Sequence, residues 1–237
     1  MTNYYEVCER TWPPASTKSC GNFTIRNGAG GGKRVSAATL DGDLDLSELA
    51  TAEDAMLALG QPKLFMIRDG EAEFDATLVD RGYALIDPVT IYTAPVSDLV
   101  RDLPQLACFS LYPPLAVMTD IWTDGGIGAE RLAVMERAVG PKTGLLGRSQ
   151  NRAAGVAYVG IHEKIAMLHS LEVKPAFRRQ GVAVNIMCGA ANWAQDQGAD
   201  ELSIIVTQAN GGANALYSSL GMKPVGHYHY RIRNEAV

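Results

Sequence analysis

The chain has 237 residues, of which 47% are hydrophobic and 20% charged, and its formal net charge is −5. That length can bury a large core as one domain or two, and the composition carries no signature of disorder. A negative balance with no basic run argues against a nucleic-acid surface, and no apolar stretch approaches the length of a membrane span.

The start is neither basic nor continuously apolar, because Tyr4-Tyr5-Glu6 and Trp12-Pro13-Pro14 interrupt it, so no secretory leader is expected. Cys8, Cys20, Cys108 and Cys188 lie far apart with no Cys-x-x-Cys pair, which reads as reduced thiols in a cytoplasmic protein. His162, His169, His227 and His229 show no metal-ligand spacing, so no metal is expected.

Residues 1–100 carry no motif for chemistry. Gly28-Ala29-Gly30-Gly31-Gly32-Lys33 invites a phosphate-loop reading, but Arg34 stands where a Ser or Thr is required. Residues 35–40 read as a strand where that motif needs a helix, so a long hairpin loop after the strand 23–26 is the better account. Residues 65–68 read as a strand, 73–81 as a short helix, and Gly82-Tyr83 leads into a strand through 89–92. Ala94-Pro95 and Leu103-Pro104 punctuate a boundary over 93–104, giving expected domains at 1–100 and 105–237. Residues 106–122 and 129–139 read as two helices separated by Asp124-Gly125-Gly126, and Gly140-Pro141 stops the second. Three antiparallel strands follow at 142–148, 153–162 and 165–173, joined by polar turns at 149–152 and 163–164.

The most informative stretch comes next. Leu171-Glu172-Val173-Lys174-Pro175-Ala176-Phe177-Arg178-Arg179-Gln180-Gly181-Val182-Ala183 reads as a strand end, a Pro stop, a basic turn with one Gly, and a helix start. Such a turn leaves backbone N–H groups converging beside two guanidinium groups, an anion site suited to a pyrophosphate. A dinucleotide loop fits poorly, since Gly181 has no second Gly two positions on. Val182, Ile186, Met187, Ala190, Trp193 and Ala194 recur at helical spacing over 182–197, and Gly198 supplies the cap. A buried strand at 202–206 leads to Asn210-Gly211-Gly212-Ala213-Asn214-Ala215-Leu216-Tyr217-Ser218-Ser219-Leu220-Gly221-Met222.

The first stretch resembles the Arg/Gln-x-x-Gly-x-Gly/Ala acyl-CoA loop of the GCN5-related N-acetyltransferases, the GNAT family. The second resembles that family's Asn-x-x-Ala-x-x-Leu-Tyr-x-x-x-Gly-Phe signature, with Met222 in place of the aromatic. The resemblance spans about residues 142–233 and implies an α/β (α+β) GNAT fold, a mixed and mostly antiparallel sheet flanked by helices. Leu78-x-x-x-Gly82-Tyr83 sits where Tyr217-x-x-x-Gly221-Met222 sits, a period of about 139 residues that points to two such units in tandem, the first degenerate.

What the resemblance implies about chemistry can be placed residue by residue. The strands at 165–173 and 202–206 would splay to admit the pantetheine arm, with Leu171 and Val173 offering backbone groups to it. The amides of Arg179, Gln180, Gly181, Val182, Ala183 and Val184 would hold the pyrophosphate, with Arg178 and Arg179 adding charge-assisted contacts. Asn210 and Asn214 would touch the arm from the other side, and Tyr217 matches the family's general-acid tyrosine. Some members place a catalytic Glu where this chain has Met167, which leaves His169 as the first candidate base, ahead of Glu172, Glu163, His227 and His229.

The function this implies is N-acetylation by acetyl-CoA of a primary amine, small or at a peptide N-terminus, through direct attack in a ternary complex. A homodimer is left open. The N-terminal half and the strand His227-Tyr228-His229-Tyr230 are expected to wall the acceptor. A non-catalytic acyl-CoA sensor is the rival reading, and Tyr217, retained where the first half has Leu78, argues against it.

Overall fold

The computed structural model describes residues 3–233; residues 1–2 and 234–237, at the outer ends of the two expected domains, lie outside it. Helix α1 (Tyr4–Thr11) is capped by Asn3, whose side chain accepts from the Glu6 amide. It is followed by the hairpin β1 (Ser16–Cys20) and β2 (Phe23–Asn27). Helix α2 (Lys33–Ser36) is a single turn entered through Gly32 at φ 95°, and β3 (Thr39–Leu40) pairs with Phe23 and Thr24. The hairpin around the glycine run is therefore present, but residues 35 and 36, expected in its second strand, belong to a helical turn.

Helix α3 (Leu46–Ala58), not anticipated from periodicity, starts where the Asp45 carboxylate accepts from the Ser47 amide. The strand–helix–strand expected next is present as β4 (Lys63–Arg68), α4 (Ala72–Asp80) and β5 (Ala84–Pro95), followed by the one-turn α5 (Val96–Leu99). A long helix over 106–122 is not. That segment is β6 (Cys108–Leu111), a break at Pro113-Pro114, and α6 (Ala116–Asp124). Two consecutive prolines remove helix donors and push the preceding residue to extended backbone, and β7 offers residues 108–111 a partner strand.

Helix α7 (Ala129–Arg137) leads to β7 (Lys142–Ser149), β8 (Arg152–His162) and β9 (Ile165–Val173). Gln150 and Asn151, at φ 53° and 59°, make the tight turn between β7 and β8. A 3-10 turn at Pro175–Phe177, α8 (Val182–Asp196), β10 (Glu201–Thr207), α9 (Gly211–Ser219) and β11 (Lys223–Arg233) complete the chain.

The chain divides into two compact units, each assembled from separated segments. One comprises Met1–Pro13, Ile91–Val206 and Gly211–Val225; the other comprises Pro14–Thr90, Thr207–Asn210 and Gly226–Val237. In the first unit the strands run in the order β5-β10-β9-β8-β7-β6, with β9 and β10 parallel and β9-β8-β7-β6 antiparallel. Helix α8 buries Val182, Ile186, Met187, Ala190, Ala191 and Ala194 against Leu145, Ala157, Leu168 and Leu202. In the second unit β11 lies antiparallel beside β4, and a separate sheet runs β1-β2-β3. Its core is aromatic: Phe65 meets Phe23, Phe74 and Tyr83 at centroid distances of 5.9, 5.4 and 5.7 Å.

The two halves of the sequence follow one plan. Helices α4 and α9 are offset by 139 positions at both ends, and β5 and β11 begin with the same offset. Residue 38 bridges to Phe65 in parallel, as Leu168 does to Ile204. The last strands are exchanged, so that β5 from the first half lies beside β10, and β11 from the second half lies beside β4. One pair of positions shows the exchange at side-chain level. Arg231 donates to both carboxylate oxygens of Asp75 at 2.7 and 2.9 Å, and Tyr92 donates to Asn214 Oδ1 at 3.2 Å. Positions 75 and 214 are one offset apart, and so are 92 and 231.

The Asp75 pairing makes a prediction for stability. Hydrogen bonds from Arg231 first, and then from His229 at 2.7 Å, hold the Asp75 carboxyl below its ordinary value. A depressed folded value contributes stability above the unfolded value near 3.9, and that contribution disappears as pH falls through the folded value. Asp75→Asn is therefore expected to lower stability at pH 7 by about 1–3 kcal/mol, because Arg231 loses its partner. Urea titrations from pH 7 downward should show the gap between variant and wild type closing below about pH 4. A gap that is constant with pH would mean that packing, not charge, is what the substitution removes.

Candidate active site

Strand β9 changes partners along its length, and this creates the site. Residues Ile165 to Leu168 pair in parallel with Glu201 to Ile204 of β10. Past Leu168 and Ile204 no register joins the two strands among the described residues, although β9 continues to Val173 and β10 to Thr207. The cause of the parting is a bulge. Tyr158 faces His169 and Val156 faces Glu172, so β9 uses three residues against two of β8, with Ser170 at φ 53°. Trp122 of α6, fully buried, donates its indole N–H to the Ser170 carbonyl at 2.8 Å and holds the kink. Leu171 and Val173 lie beyond it, half-buried, on the stretch of β9 that β10 leaves unpaired.

The loop that follows is built for an anion. Gly181 adopts the left-handed conformation at φ 78° and α8 has no side-chain cap, so its first-turn amides at Val182, Ala183 and Val184 lie beyond intrahelical acceptors. The helix dipole adds positive potential at the same point. Arg179 is itself left-handed at φ 61°, and its side chain makes no hydrogen bond or ion pair among the described residues. Arg178 is already engaged, donating through Nε to the Val173 carbonyl at 3.0 Å and through Nη2 to Glu172 at 3.1 Å. Gln180 is engaged too, donating to the Ala176 carbonyl and accepting from Ser149 and Gln150. Of the two adjacent arginines, Arg179 is thus the one available to a ligand, while Arg178 and Gln180 shape the loop. Two glycines let α8 sit close: a Cβ on Gly147 would fall 2.7 Å from Ile186, and one on Gly155 3.1 Å from Val182.

The equivalent loop of the second unit has the opposite sign. Between β3 and α3 the chain reads Asp41-Gly42-Asp43-Leu44-Asp45, and Asp45 fills the cap of α3 by accepting from Ser47. Asp41 pairs with Arg68 at 3.1 Å. Three carboxylates and an occupied cap are unfavourable for a pyrophosphate.

In α9, Asn214 accepts from Tyr92; Asn210, which belongs to the second unit, is exposed, with its amide donating to the Thr207 carbonyl at 3.0 Å. Tyr217 is 3% exposed, its ring 6.0 Å from that of Tyr92, and its hydroxyl has no hydrogen-bond partner among the described residues. Burial alone pushes its phenol well above the ordinary value.

His169, the first candidate base, lies elsewhere in its chemistry. Ile165 and Met167 pack on Val7 and Cys8 of α1, and His169, on the same strand face, is 3% exposed with its ring stacked 5.1 Å from Trp12. Thr11 Oγ1 gives its proton to the Val7 carbonyl at 2.7 Å, so at 2.8 Å it accepts from His169 Nε2–H. Helix α1, which the sequence reading missed, covers the face on which a base was sought. His229 and His227 meet Asp75 and Thr90.

Tyr92, Trp122 and the bulge at Ser170 also escaped the sequence reading. Their roles come from contacts 48 to 122 positions apart in the chain, and no local pattern marks them. Among the described residues no group of His, Cys, Asp and Glu side chains is arranged to hold a metal, no disulfide joins the cysteines, and no helix is long and apolar enough to cross a membrane.

Comparison with known proteins agrees with this geometry. Residues 117–222 match the acetyltransferase (GNAT) family model. An uncharacterized N-acetyltransferase of Bacillus subtilis (strain 168), YobR, is 23% identical over 234 residues, covering 94% of each chain. A GCN5-related N-acetyltransferase from Kribbella flavida superposes with a TM-score of 0.75 at 16% identity, covering 98% of this chain and 95% of that one. A tandem GNAT protein from the clavulanic acid biosynthesis pathway does so at 0.64 and 13% identity, covering 100% and 89%. Parted strands, an uncapped helix N-terminus and the family match coincide on one segment: residues 117–222 are an acetyltransferase domain of the GNAT family.

Proposed function

We propose that this acyltransferase moves the acetyl group of acetyl-CoA to a primary amine, on a small molecule or a peptide N-terminus, by direct attack in a ternary complex. The observation that supports this most directly is the parting of β9 from β10 beside the uncapped start of α8. When bound, acetyl-CoA supplies the thioester as acyl donor. The amides from Arg179 to Val184 and the Arg179 guanidinium would hold its pyrophosphate, and Leu171, Val173, Asn210 and Asn214 would hold its arm. In our reading residues 105–237 carry this chemistry, with the 91–95 part of β5 packed into the same unit, and the rest of 1–100 is the degenerate copy.

Tyr217 acts as a hydrogen-bond donor to the leaving sulfur. Full transfer from a phenol near 10 to a thiolate near 8.5 is uphill by about 2 kcal/mol, and burial makes it steeper. Donation without transfer lowers the cost of thiolate departure and leaves the proton on Tyr217; as the C–N bond forms and the C–S bond breaks, the proton shed by the attacking nitrogen passes to the thiolate, and CoA leaves as the thiol. Positioning supplies most of the remaining acceleration. His169, with its Nε2–H given to Thr11, takes a packing role in this scheme. Without a dedicated base, a lysine-like amine costs about 4–5 kcal/mol to deprotonate at pH 7 and an α-amino group about 1 kcal/mol, which favours terminal or low-pKa amines as acceptors.

Thiol release from acetyl-CoA, measured against amino acids, peptides, polyamines and aminoglycosides, tests the proposal. Amine-dependent release is expected, strongest with α-amino groups at neutral pH. Binding of acetyl-CoA with no release for any amine would instead identify a sensor.

A further inference from the structure

We propose that Tyr92, a residue of the first half of the sequence, is a positioning residue for acyl transfer, acting through Asn214 and Tyr217. The inference rests on the acetyl-CoA reading above.

Tyr92 lies on the part of β5 that belongs to the catalytic unit, half-buried beside β10. Its backbone is fixed: the Ser203 hydroxyl donates to the Tyr92 carbonyl at 2.9 Å, and the Thr93 hydroxyl donates to Glu201 at 2.9 Å. A side chain on so firmly held a strand is itself well placed to orient others. Its hydroxyl donates to Asn214 Oδ1 at 3.2 Å, which turns the amide oxygen toward Tyr92 and the amide nitrogen away from it. Its ring meets that of Tyr217 at 6.0 Å and 52°. One residue thus touches both side chains that the motif contributes from α9.

The exchanged copy supplies an independent comparison. The same two positions in the second unit hold Arg231 and Asp75, joined by two charge-assisted hydrogen bonds, with His229 also on Asp75. That arrangement saturates the helix residue with protein partners. In the catalytic unit Tyr92 gives the Asn214 amide oxygen a neutral hydrogen bond in place of that charged pairing. The position is a lock in the copy with the acidic loop and an orienting contact in the copy with the basic loop.

Acetyl-CoA binding and turnover of wild type, Tyr92→Phe, Asn214→Ala and the double variant test this. Tyr92→Phe keeps the ring and is expected to weaken acetyl-CoA binding by about 3- to 10-fold. The double variant should bind no more weakly than Asn214→Ala alone, because Tyr92 acts through that amide. Tyr92→Leu should further lower kcat through Tyr217, with restoration by Phe. Tyr92→Phe binding within about two-fold of wild type, or losses that add in the double variant, would overturn the proposal. Thermal melts separate these outcomes from a folding defect: an unchanged Tm with weakened binding supports positioning, and a binding loss that merely follows Tm overturns it. Wild type that binds no acetyl-CoA would remove the functional reading first, and this inference with it.

Discussion

Tyr217→Phe is expected to lower kcat by about 10- to 100-fold while acetyl-CoA affinity stays within about two-fold of wild type. The substitution removes one oxygen from a side chain that is 3% exposed and keeps the ring against Tyr92 and the core. The tyrosine hydroxyl has no protein partner among the described residues, so its loss strands no buried group and stability should change little. What disappears is the donor proposed to act when charge develops on sulfur, an interaction stronger in the transition state than in the ground state. The pH–rate profile gives a second readout. Burial raises the phenol, so its ionisation should not limit the wild-type rate at any pH below 10. A falling limb near pH 10 that vanishes in the Phe variant would show that Tyr217 titrates in the ordinary range and would refute the buried-donor picture. Wild-type turnover in the variant would remove Tyr217 from the mechanism.

Gly155→Ala should destabilise the protein by about 1–3 kcal/mol and weaken acetyl-CoA binding in the same variant. A Cβ at position 155 would lie 2.9 Å from the Glu172 carbonyl oxygen and 3.1 Å from Val173 Cγ2 and Val182 Cγ1. The first contact is with backbone just past the bulge of β9, and backbone in a paired strand has little room to yield. The third is with the first residue of α8. Relief must therefore come from moving either the end of β9 beyond its pairing with β10 or the helix start, the two elements proposed to hold the cofactor. Gly147→Ala makes a useful contrast, since its closest contacts, at 2.7 Å, are the end of the flexible Ile186 side chain. Its cost should be smaller, and chemical denaturation with calorimetric binding ranks the two. Equal losses at both positions would mean that α8 shifts as a whole and that the β9 backbone is not the constraint.

The elements that carry local chemical marks were legible before any coordinates. The helix at 182–197, the strands of residues 142–173, the loop closed by Gly181 and the helix bearing Tyr217 all follow from periodicity, turn residues and motif spacing, and all are present, the last starting three residues earlier than its expected start at Asn214. The offset of 139 residues was visible in Leu78, Gly82 and Tyr83 against Tyr217, Gly221 and Met222, and the helices at both places obey it. These features depend on interactions within a few turns of chain, where side-chain preference and backbone geometry act together.

Features set by distant partners were not legible. Residues 108–111 read as helix until β7 offered them a strand to pair with. The bulge at Ser170 has no glycine to announce it, and an indole from α6, 48 positions away, holds it. His169 stood out as a base because its strand leads to the basic loop, yet α1 closes over that face and Thr11 Oγ1 lies in hydrogen-bond contact with its Nε2 at 2.8 Å. The exchange of β5 and β11 between units, which brings Tyr92 to Asn214, is invisible to any pattern along the chain. A residue's type and its near neighbours fix what chemistry it can do. Which face of a strand is covered, and by what, is decided by the total burial of apolar surface over the whole fold, a sum to which every distant segment contributes.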